Sequence, residues 1–519
     1  MYKILTFAAL VFSIGNLGFA NKTLAQQTNP NNPLLYSNQA TMFGDQGSAF
    51  DPISIVMPGV AYNAGFGSFI DNPASAALFK NSFGQFGLSY RMVDENSQYL
   101  GNSRTLDDRQ TNLSNFGIVY SFPTTRGSLV AGAGYTQHTS FNRAFGFRGR
   151  NNNSTITDNF KAPGSTYSDI AFGTFATDYG DEFEDWDESI FRIGFDQLGD
   201  YLGIRQQGEI IQRGYGGEYS MFLATEFQQN LMIGASIGIL NGRFKYDRLF
   251  QEVDEFNDYD GQIIDSNNDG TGDTDIDRIL LEDDLTSRYN GFRVRAGFLY
   301  RLNQNLNIGG SYTFGTKIFV DEQFNASITS SFDNGVDFED NLNTEFSYNV
   351  RFPAKATLGF AVKDLNGLTV SASAEYIDYS KTRIEFNDGN LFEDELLENE
   401  FLKDTYRPVL NYKAGLSYQF NPMFTVRGGY SFLPSRFDGG TDNRNVFALG
   451  AGFSLTDDVR LELAAQYAIW EEETTVYDYA VYNYSDLPDN PPSFSFRSES
   501  ALRSVDRWNV LATLKFRLN

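Results

Sequence analysis

Apolar and polar residues alternate along most of the chain. In segment 459–469 the odd positions carry Val, Leu, Leu, Ala, Tyr and Ile, with several charged or amide residues between them. Segments 215–227, 292–300 and 508–518 repeat this alternation. Because successive side chains of a strand point to opposite faces, each segment predicts a β-strand with one apolar face and one polar or small face.

Fourteen segments carry this pattern. They span residues 84–93, 114–122, 127–140, 213–227, 231–246, 288–302, 306–320, 344–363, 367–384, 407–420, 423–434, 444–455, 459–472 and 504–518. Their lengths, from 9 to 20 residues, exceed the about 5 to 6 residues usual for strands of soluble proteins. The eighth segment contains Pro353, which cannot donate a hydrogen bond to a neighbouring strand, so we expect a kink or bulge there.

The connections between these segments alternate strictly between short and long. Six are tight turns, at 123–126, 228–230, 303–305, 364–366, 421–422 and 456–458. Seven are longer, at 94–113, 141–212, 247–287, 321–343, 385–406, 435–443 and 473–503. Outer-membrane barrels have short periplasmic turns and long outer loops, and a sheet in lipid must close because every backbone polar group has to be paired. The sequence therefore predicts an all-β fold, a 14-stranded antiparallel transmembrane β-barrel over residues 84–519.

Two segments precede the predicted barrel. Residues 1–25 carry a basic Lys3, an apolar run and a small-residue cleavage sequence at 23–25, with 18–20 as the competing site, which predicts a secretory signal peptide. The alternative, an N-terminal membrane anchor, is disfavoured because the apolar run is short. Residues 26–83 fit no membrane strand, and their length favours a periplasmic or lumenal plug over a plain tail.

The composition removes several kinds of chemistry. The chain has no Cys and one His, so disulfides, cysteine nucleophiles and a Cys/His zinc site are excluded. A net charge of −26 argues against a nucleic-acid partner, since phosphate binding needs an excess of Lys and Arg. Aromatic residues make up 15% of the chain, which is not the composition of a disordered protein. We expect a folded, acidic protein that requires no cofactor.

Two short motifs point to a known family. Asn72, Pro73 and Ala74 follow one another inside the predicted plug, and the run Phe-Pro-Ala-Lys-Ala-Thr-Leu-Gly-Phe-Ala occupies 352–361. Together with the signal peptide and the fourteen strands, they resemble the FadL/TodX family of outer-membrane transporters for long-chain fatty acids and other hydrophobic compounds. The mature start at Gln26 and the acidic, Asn-rich loops resemble a Bacteroidetes-type member of that family from a Gram-negative cell.

The resemblance implies a passive route in three parts. A ligand binds in an apolar groove among the outer loops, then in a lumen pocket closed by the plug. Rearrangement of the plug and a kink in a barrel strand then open a lateral exit, without ATP. Some members of this group are subunits of secretion or assembly complexes, so a non-transporting barrel that docks protein partners stays as the alternative. A general porin is disfavoured, because a plug blocks the open bore that a porin needs.

The loop at 141–212 offers a candidate for the outer groove. Its apolar residues Trp186, Ile190, Phe191 and Phe195 belong to a set over 183–202 that is spaced by three and four, which predicts a short amphipathic helix. An apolar face on an outer loop has to pack against something. There are three interpretations of that contact: a neighbouring loop or the barrel rim, a ligand, or a protein partner at the extracellular loops.

Arg293 and Arg295 are the candidates for a ligand head group in the lumen. They lie two apart on the polar face of one predicted strand. A guanidinium group suits a carboxylate because it offers two parallel donors. The alternative is that the lumen charges form salt bridges with one another across the lumen. Besides the two arginines, these charges are Glu218, Glu226, Glu375, Lys413, Arg427, Arg460 and Glu462.

The loop at 247–287 is strongly acidic and contains part of a calcium-loop pattern. Asp265, Asn267, Asp269 and Asp273 occupy oxygen-ligand positions of such a loop. Ile276 stands where the bidentate Glu is expected, although Asp277 is a possible substitute, and no helices clearly flank the loop. Calcium binding and a solvated acidic loop are therefore both open. We also expect contacts with outer-membrane lipid and lipopolysaccharide, whose bridging divalent ions would tolerate this charge.

The chain contains one pattern found in enzymes. His138 and Ser140 lie two apart on a predicted strand, and outer-membrane phospholipases use that spacing for a base and a nucleophile. A lone His at a barrel rim is usually structural. The sequence therefore predicts a protein that is not an enzyme.

Overall fold

The computed structural model describes residues 34–44, 47, 49–162, 165–180, 183–191, 202–259, 264–267, 269–483 and 493–518. The predicted signal peptide, residues 1–25, and the first residues of the predicted plug lie outside these ranges. Among the described residues, no helix has the length and apolar character needed to cross a membrane.

Fourteen antiparallel strands form the wall of a closed barrel. In chain order they are β1 (Phe83–Tyr99), β2 (Asn102–Phe122), β3 (Leu129–Ser140 and Arg143–Asn151), β4 (Ile204–Gln228), β5 (Leu231–Val253), β6 (Ile276–Arg301), β7 (Leu306–Thr313 and Thr316–Phe332), β8 (Asp337–Phe352 and Lys355–Leu365), β9 (Leu368–Asp378 and Arg383–Phe386), β10 (Pro408–Asn421), β11 (Phe424–Leu433), β12 (Arg444–Ser454), β13 (Val459–Asn483) and β14 (Ser493–Arg517). Each strand pairs with the next, and β1 pairs with β14, with Phe83 opposite Arg517. The predicted 14-stranded barrel is confirmed, as is the break in β8 at Pro353.

The apolar faces of the strands point outward. On β4, for example, Tyr219, Met221 and Leu223 are exposed, whereas Glu218 and Phe222 are buried. The alternation arises because the pleat sends every second side chain to the lipid side and the others to the lumen. The six predicted tight turns are also present, all at the same end of the barrel. We call this the turn end, and the opposite end the outer end.

Several strands continue far beyond the predicted limits toward the outer end. The segments 94–113 and 321–343, predicted as loops, are strand hairpins that turn at 100–101 and 333–336. Strands also enter the predicted loops 141–212, 247–287 and 473–503. The prediction ended each strand where its outward face became polar. Backbone pairing between strands does not require an apolar face, and outside lipid the pattern simply changes to polar on both sides.

The N-terminal segment contributes short helices. They are α1 (Tyr36–Gly44), α2 (Ser68–Asp71) and a 3₁₀-helix (Pro73–Leu78). Nearly all of their residues are buried, and side chains of this segment contact inward-facing residues of the wall.

The outer end is filled by an apolar cluster and by elements of the long connections. Within residue range 141–212 these elements are α3 (Thr157–Phe160), α4 (Ser168–Gly173) and a separate hairpin of Thr177–Gly180 with Phe183–Ser189. Connection 385–406 forms α5 (Phe392–Thr405). Phe160, Ile170, Phe250 and Leu281 are among the buried members of the cluster.

The helix predicted from residue 183 onward is wrong for its first turns, which form a strand. The apolar spacing fits a helix, but Glu184, Asp185, Asp187 and Glu188 lie among those residues. In a helix these acids would fall three and four apart and repel one another. A strand paired with Thr177–Gly180 avoids that arrangement.

Candidate functional site: the barrel lumen

Asn72 ties the N-terminal segment to the barrel wall. Its Nδ2 donates to the carbonyl oxygens of Val60 at 2.7 Å and Phe298 at 2.8 Å, and its Oδ1 accepts from the Ala74 amide at 3.0 Å. Pro73 opens the 3₁₀-helix that follows. Gly297 provides the space, since a Cβ there would lie 2.1 Å from Asn72 Oδ1. The motif Asn72, Pro73 and Ala74 therefore lies at a contact with β6.

Aromatic packing forms a second contact of this segment. Phe69 stacks on Phe222 of β4 with ring centroids 5.0 Å apart, and Phe66 lies edge-on to Phe69. Cβ atoms added at Gly117 and Gly134 would lie 2.2 and 2.6 Å from the Phe66 ring. Small residues on the inner wall thus make room for the segment.

Both predicted head-group arginines have protein partners. Arg295 forms two hydrogen bonds to Glu218, at 2.6 and 2.7 Å, and His138 Nε2 lies 3.7 Å from the same carboxylate. Arg293 donates to Thr316 Oγ1 at 3.1 Å and to the carbonyl oxygen of Gly44 at 3.3 Å. Neither arginine lines the lumen cavity described next. A head-group role for this pair stays a prediction, and the pairing of Arg295 with Glu218 matches the salt-bridge alternative.

A cavity of about 320 Å³ lies between the N-terminal segment and the wall. Ligand pockets commonly have volumes of about 300–1,000 Å³. One part of its lining is apolar, and includes Phe50, Ile55, Val60, Leu433 and Val446. Another part is charged, with eight basic and four acidic side chains. The cavity can therefore accommodate both ends of an amphipathic molecule.

Three of these charged residues, Arg143, Arg503 and Glu472, form a closed ring of ion pairs with Glu95. Arg143 Nε donates to Glu95 Oε1 at 2.9 Å, and Arg143 Nη1 lies 2.6 Å from Glu472 Oε1. Arg503 is hydrogen-bonded to Glu95 through Nη2, and its Nη1 lies 3.5 Å from Glu472 Oε1. The two arginines and two glutamates neutralise each other within the barrel.

Three further arginines lie next to this ring of ion pairs, and the sequence analysis did not single out any of them. Arg444 and Arg507 have their guanidinium carbons 4.8 and 5.1 Å from the centroid of the Trp470 ring, and Arg91 lies 5.5 Å from the Phe50 ring centroid. All three line the cavity. The signal was available, because each occupies the inward phase of a predicted strand, next to outward residues such as Tyr90 and Trp508.

Comparison with known proteins identifies the family. Residues 224–498, more than half of the chain, match the family described as outer membrane protein transport protein (OMPP1/FadL/TodX). The chain belongs to this family. It is therefore an outer-membrane barrel of a family of transport proteins rather than of enzymes.

A solved structure of a FadL homologue has the same overall fold. A Pseudomonas aeruginosa FadL homologue is 12% identical, with 92% of this chain and 100% of that chain covered and a TM-score of 0.50. The toluene transporters TodX of P. putida and TbuX of Ralstonia pickettii are 13% and 14% identical; 92% and 91% of this chain and 99% of each transporter are covered, and both TM-scores are 0.48. No curated protein matches the sequence.

Two predicted groove residues of this FadL/TodX chain lie inside the outer apolar cluster. Ile190 and Phe191 are buried, and Phe191 lies edge-on to Tyr259 with centroids 5.0 Å apart. Trp186 is part of the strand Phe183–Ser189, and Phe195 lies outside the described residues. The described groove residues thus pack on the protein itself, and a ligand groove stays a prediction.

The predicted calcium loop is closed by internal hydrogen bonds in this family member. Asp265 accepts from the Asp269 and Gly270 amides, at 3.1 and 2.6 Å, and Asp273 accepts from Ser266 N at 2.8 Å. No group of three or more His, Cys, Asp or Glu side chains in the described ranges is arranged to hold a metal ion. Calcium binding by Asp265, Asn267, Asp269 and Asp273 stays a prediction.

Proposed function

We propose that this FadL/TodX-family barrel takes up hydrophobic or amphipathic small molecules, such as long-chain fatty acids, by passive diffusion across the outer membrane. The cavity in the lumen carries this proposal. It combines an apolar lining with basic side chains, and it lies between the wall and the N-terminal segment. A long-chain acid has the matching pair of an alkyl chain and an anionic head.

The N-terminal segment would act as the plug of this route. It is held by the Asn72 hydrogen bonds and by aromatic contacts, which are modest interactions of about 0.5–1.5 kcal/mol each. Such a contact can open without unfolding the barrel. Loop capture, plug movement and a lateral exit through an interrupted strand such as β3 complete the proposed route.

One observation favours a second function, the docking of a protein partner. The apolar cluster at the outer end includes the buried loop residues Phe160, Ile170 and Phe191, which supports a barrel closed on the outside. A closed barrel would suit a subunit that docks a protein partner in a secretion or assembly complex.

An uptake assay separates the two functions. Cells that lack their own fatty-acid transporter would express the full-length protein, and uptake of radiolabelled oleate would be measured. We expect uptake above the empty-vector level, and a reduction of at least fivefold in Ser431→Trp, which fills the cavity. Leu449→Trp places the same side chain on the 70% exposed outer face and serves as the matched control.

Uptake equal to the empty vector, with stoichiometric protein partners co-purifying, would favour the docking function. Uptake unchanged by Ser431→Trp would instead place the route outside this cavity.

A further inference from the structure

The cavity has a positive surplus in a strongly acidic protein. Its eight basic and four acidic lining groups leave four positive charges, whereas the whole chain carries −26. Part of the basic lining has partners: Lys355 lies 3.1 Å from Glu375, Lys413 is attracted by Asp71 and Glu375, and Arg436 donates to Asn38 Oδ1 at 2.9 Å. The basic lining groups left over lie on β1, β12 and β14, which form one side of the wall together with β13, the strand between β12 and β14. The lining acid Asp442 lies just before β12.

Arg91, Arg444 and Arg507 carry that surplus. The ring of Arg143, Arg503, Glu95 and Glu472 is neutral by itself. Among the described residues none of these three guanidinium groups forms an ion pair, although Asp108 attracts Arg91 and Glu472 attracts Arg444. Arg507 is instead repelled by Arg91, Arg143 and Arg444 and attracted by Glu472.

Arg91 is the most deeply placed of the three. It is 5% exposed, and it donates through Nη1 to the Ser140 carbonyl oxygen at 2.7 Å. Its Nε has no hydrogen-bond partner among the described residues. An unpaired, buried guanidinium is unfavourable unless an anion joins it.

Two of the three groups lie against the same aromatic ring. Arg444 and Arg507 lie 4.8 and 5.1 Å from the same Trp470 ring centroid, so their guanidinium carbons are no more than 9.9 Å apart. A carboxylate offers two oxygens in one plane, whereas a phosphate monoester offers three oxygens in different directions and close to two negative charges. Several guanidinium groups can therefore donate to one phosphate together.

We propose that Arg91, Arg444 and Arg507 bind the phosphate head of an amphiphilic phosphate monoester in the lumen. The alkyl chain lies along the apolar lining formed by Phe50, Ile55, Leu433 and Val446. This inference rests on the proposed uptake function in assigning the bound molecule as cargo, but the binding itself can be measured without transport.

Equilibrium binding to the purified full-length protein in lipid nanodiscs tests the proposal. The probes are radiolabelled dodecyl phosphate, dodecyl sulfate, dodecylmalonate and dodecanoate, which share one chain length. We expect dodecyl phosphate to bind at least tenfold more tightly than dodecanoate, with dodecyl sulfate between them because it has the oxygens but one charge. Equal affinities for dodecyl phosphate and dodecanoate would overturn the proposal, and tighter binding of dodecylmalonate would overturn the choice of phosphate.

Two substitutions assign the site. Arg444→Gln and Arg507→Gln should each weaken dodecyl phosphate binding at least tenfold and remove the preference over dodecanoate. Arg109→Gln, at an exposed position on β2, is the control and should change nothing. A preference that survives in the Arg444→Gln/Arg507→Gln double variant would overturn the assignment. Arg444→Lys keeps the positive charge but loses the two parallel donors of the guanidinium group. The barrel should still fold, and part of the preference for dodecyl phosphate over dodecanoate should be lost.

The binding and uptake experiments can fail separately. Selective phosphate binding with no uptake of dodecyl phosphate or oleate would remove the transport function and keep the site. Oleate uptake without selective phosphate binding would keep transport and remove the site.

Discussion

Glycines on the inner wall decide how closely the N-terminal segment can approach. Gly117 faces the Phe66 ring, and a Cβ there would lie 2.2 Å from it. Gly84 is paired across the strands with Ile118, the residue that follows Gly117. A Cβ on Gly84 would have open space around it, because the nearest atom would be 3.9 Å away. Gly117→Ala should therefore displace Phe66, at a cost of about 1–3 kcal/mol to the docked segment.

Limited proteolysis of the folded protein measures this effect. We expect faster cleavage within 49–82 in Gly117→Ala, and an unchanged rate in Gly84→Ala. Equal cleavage rates in both variants would contradict the role given to Gly117.

Asn72 acts as both donor and acceptor, so both Asn72→Ala and Asn72→Asp should weaken the contact between the N-terminal segment and the wall. Asn72→Ala leaves the carbonyl groups of Val60 and Phe298 without their donor, and each lost hydrogen bond costs about 0.5–1.5 kcal/mol. Asn72→Asp places a carboxylate against the same two carbonyl oxygens and should be at least as harmful. Hydrogen exchange of amides 68–79 should increase in both variants while the strands stay protected; protection equal to the native protein would refute this contact as a tether.

Residue-scale chemistry was only partly predictable from the sequence. The inward phase of each strand was correct, so Arg295 and Glu218 were assigned to the lumen. Which charges pair could not be deduced, because partners such as Arg503 and Glu95 are 408 positions apart. Arg91, Arg444 and Arg507 become distinctive only when the partners of the other arginines are known.

At the scale of elements, α5 holds α1 through a buried carboxyl group. Burial raises the pKa of Glu398 to about 7, and the charge of Asp394 acts in the same direction, while the Ser37 amide that donates to Glu398 lowers the pKa. The folded form therefore binds a proton more tightly than the unfolded chain. Glu398 stabilises this contact fully below about pH 4.5, and that contribution is lost as the pH rises through about 7.

Hydrogen exchange of α1 over a pH series tests this sign. After correction for the intrinsic exchange rate, protection of residues 36–44 should decrease from pH 5 to pH 8. Glu398→Gln, which cannot ionise, should flatten the profile. A native profile that is flat, or that rises with pH, would contradict the expectation.

Elements were predictable where lipid constrains them and less so elsewhere. All fourteen membrane strands and six turns follow from the outward apolar phase. The outer hairpins, such as that of β1 and β2, carry polar residues on both faces, so periodicity gives no signal there. Spacing of three and four at 183–202 suggested a helix, because the pattern ignores repulsion among neighbouring acids.

For the whole molecule, substitution by Arg should affect stability differently on the lipid-facing surface of the barrel and on the strand segments that extend beyond the membrane. Leu449 is 70% exposed on the membrane part of β12, whereas Asp340 lies on the part of β8 beyond the membrane. Arg at a lipid-facing site near the bilayer midplane costs about 2–4 kcal/mol. Leu449→Arg should lower the free energy of unfolding in lipid vesicles by about that amount, and Asp340→Arg should leave it almost unchanged. A similar loss in both variants would place the membrane boundary elsewhere on the barrel.

The long strands also determine what meets the environment first. β6 has 26 residues, about 85 Å of extended chain, whereas a membrane strand needs about 9–11 residues. The part of the protein that extends above the lipid is therefore a rigid wall of paired strands rather than a set of mobile loops. An antibody or a bacteriophage that reaches the cell meets surfaces assembled from distant stretches of sequence. Sera raised against the folded protein should then recognise intact cells and fail on a denatured blot.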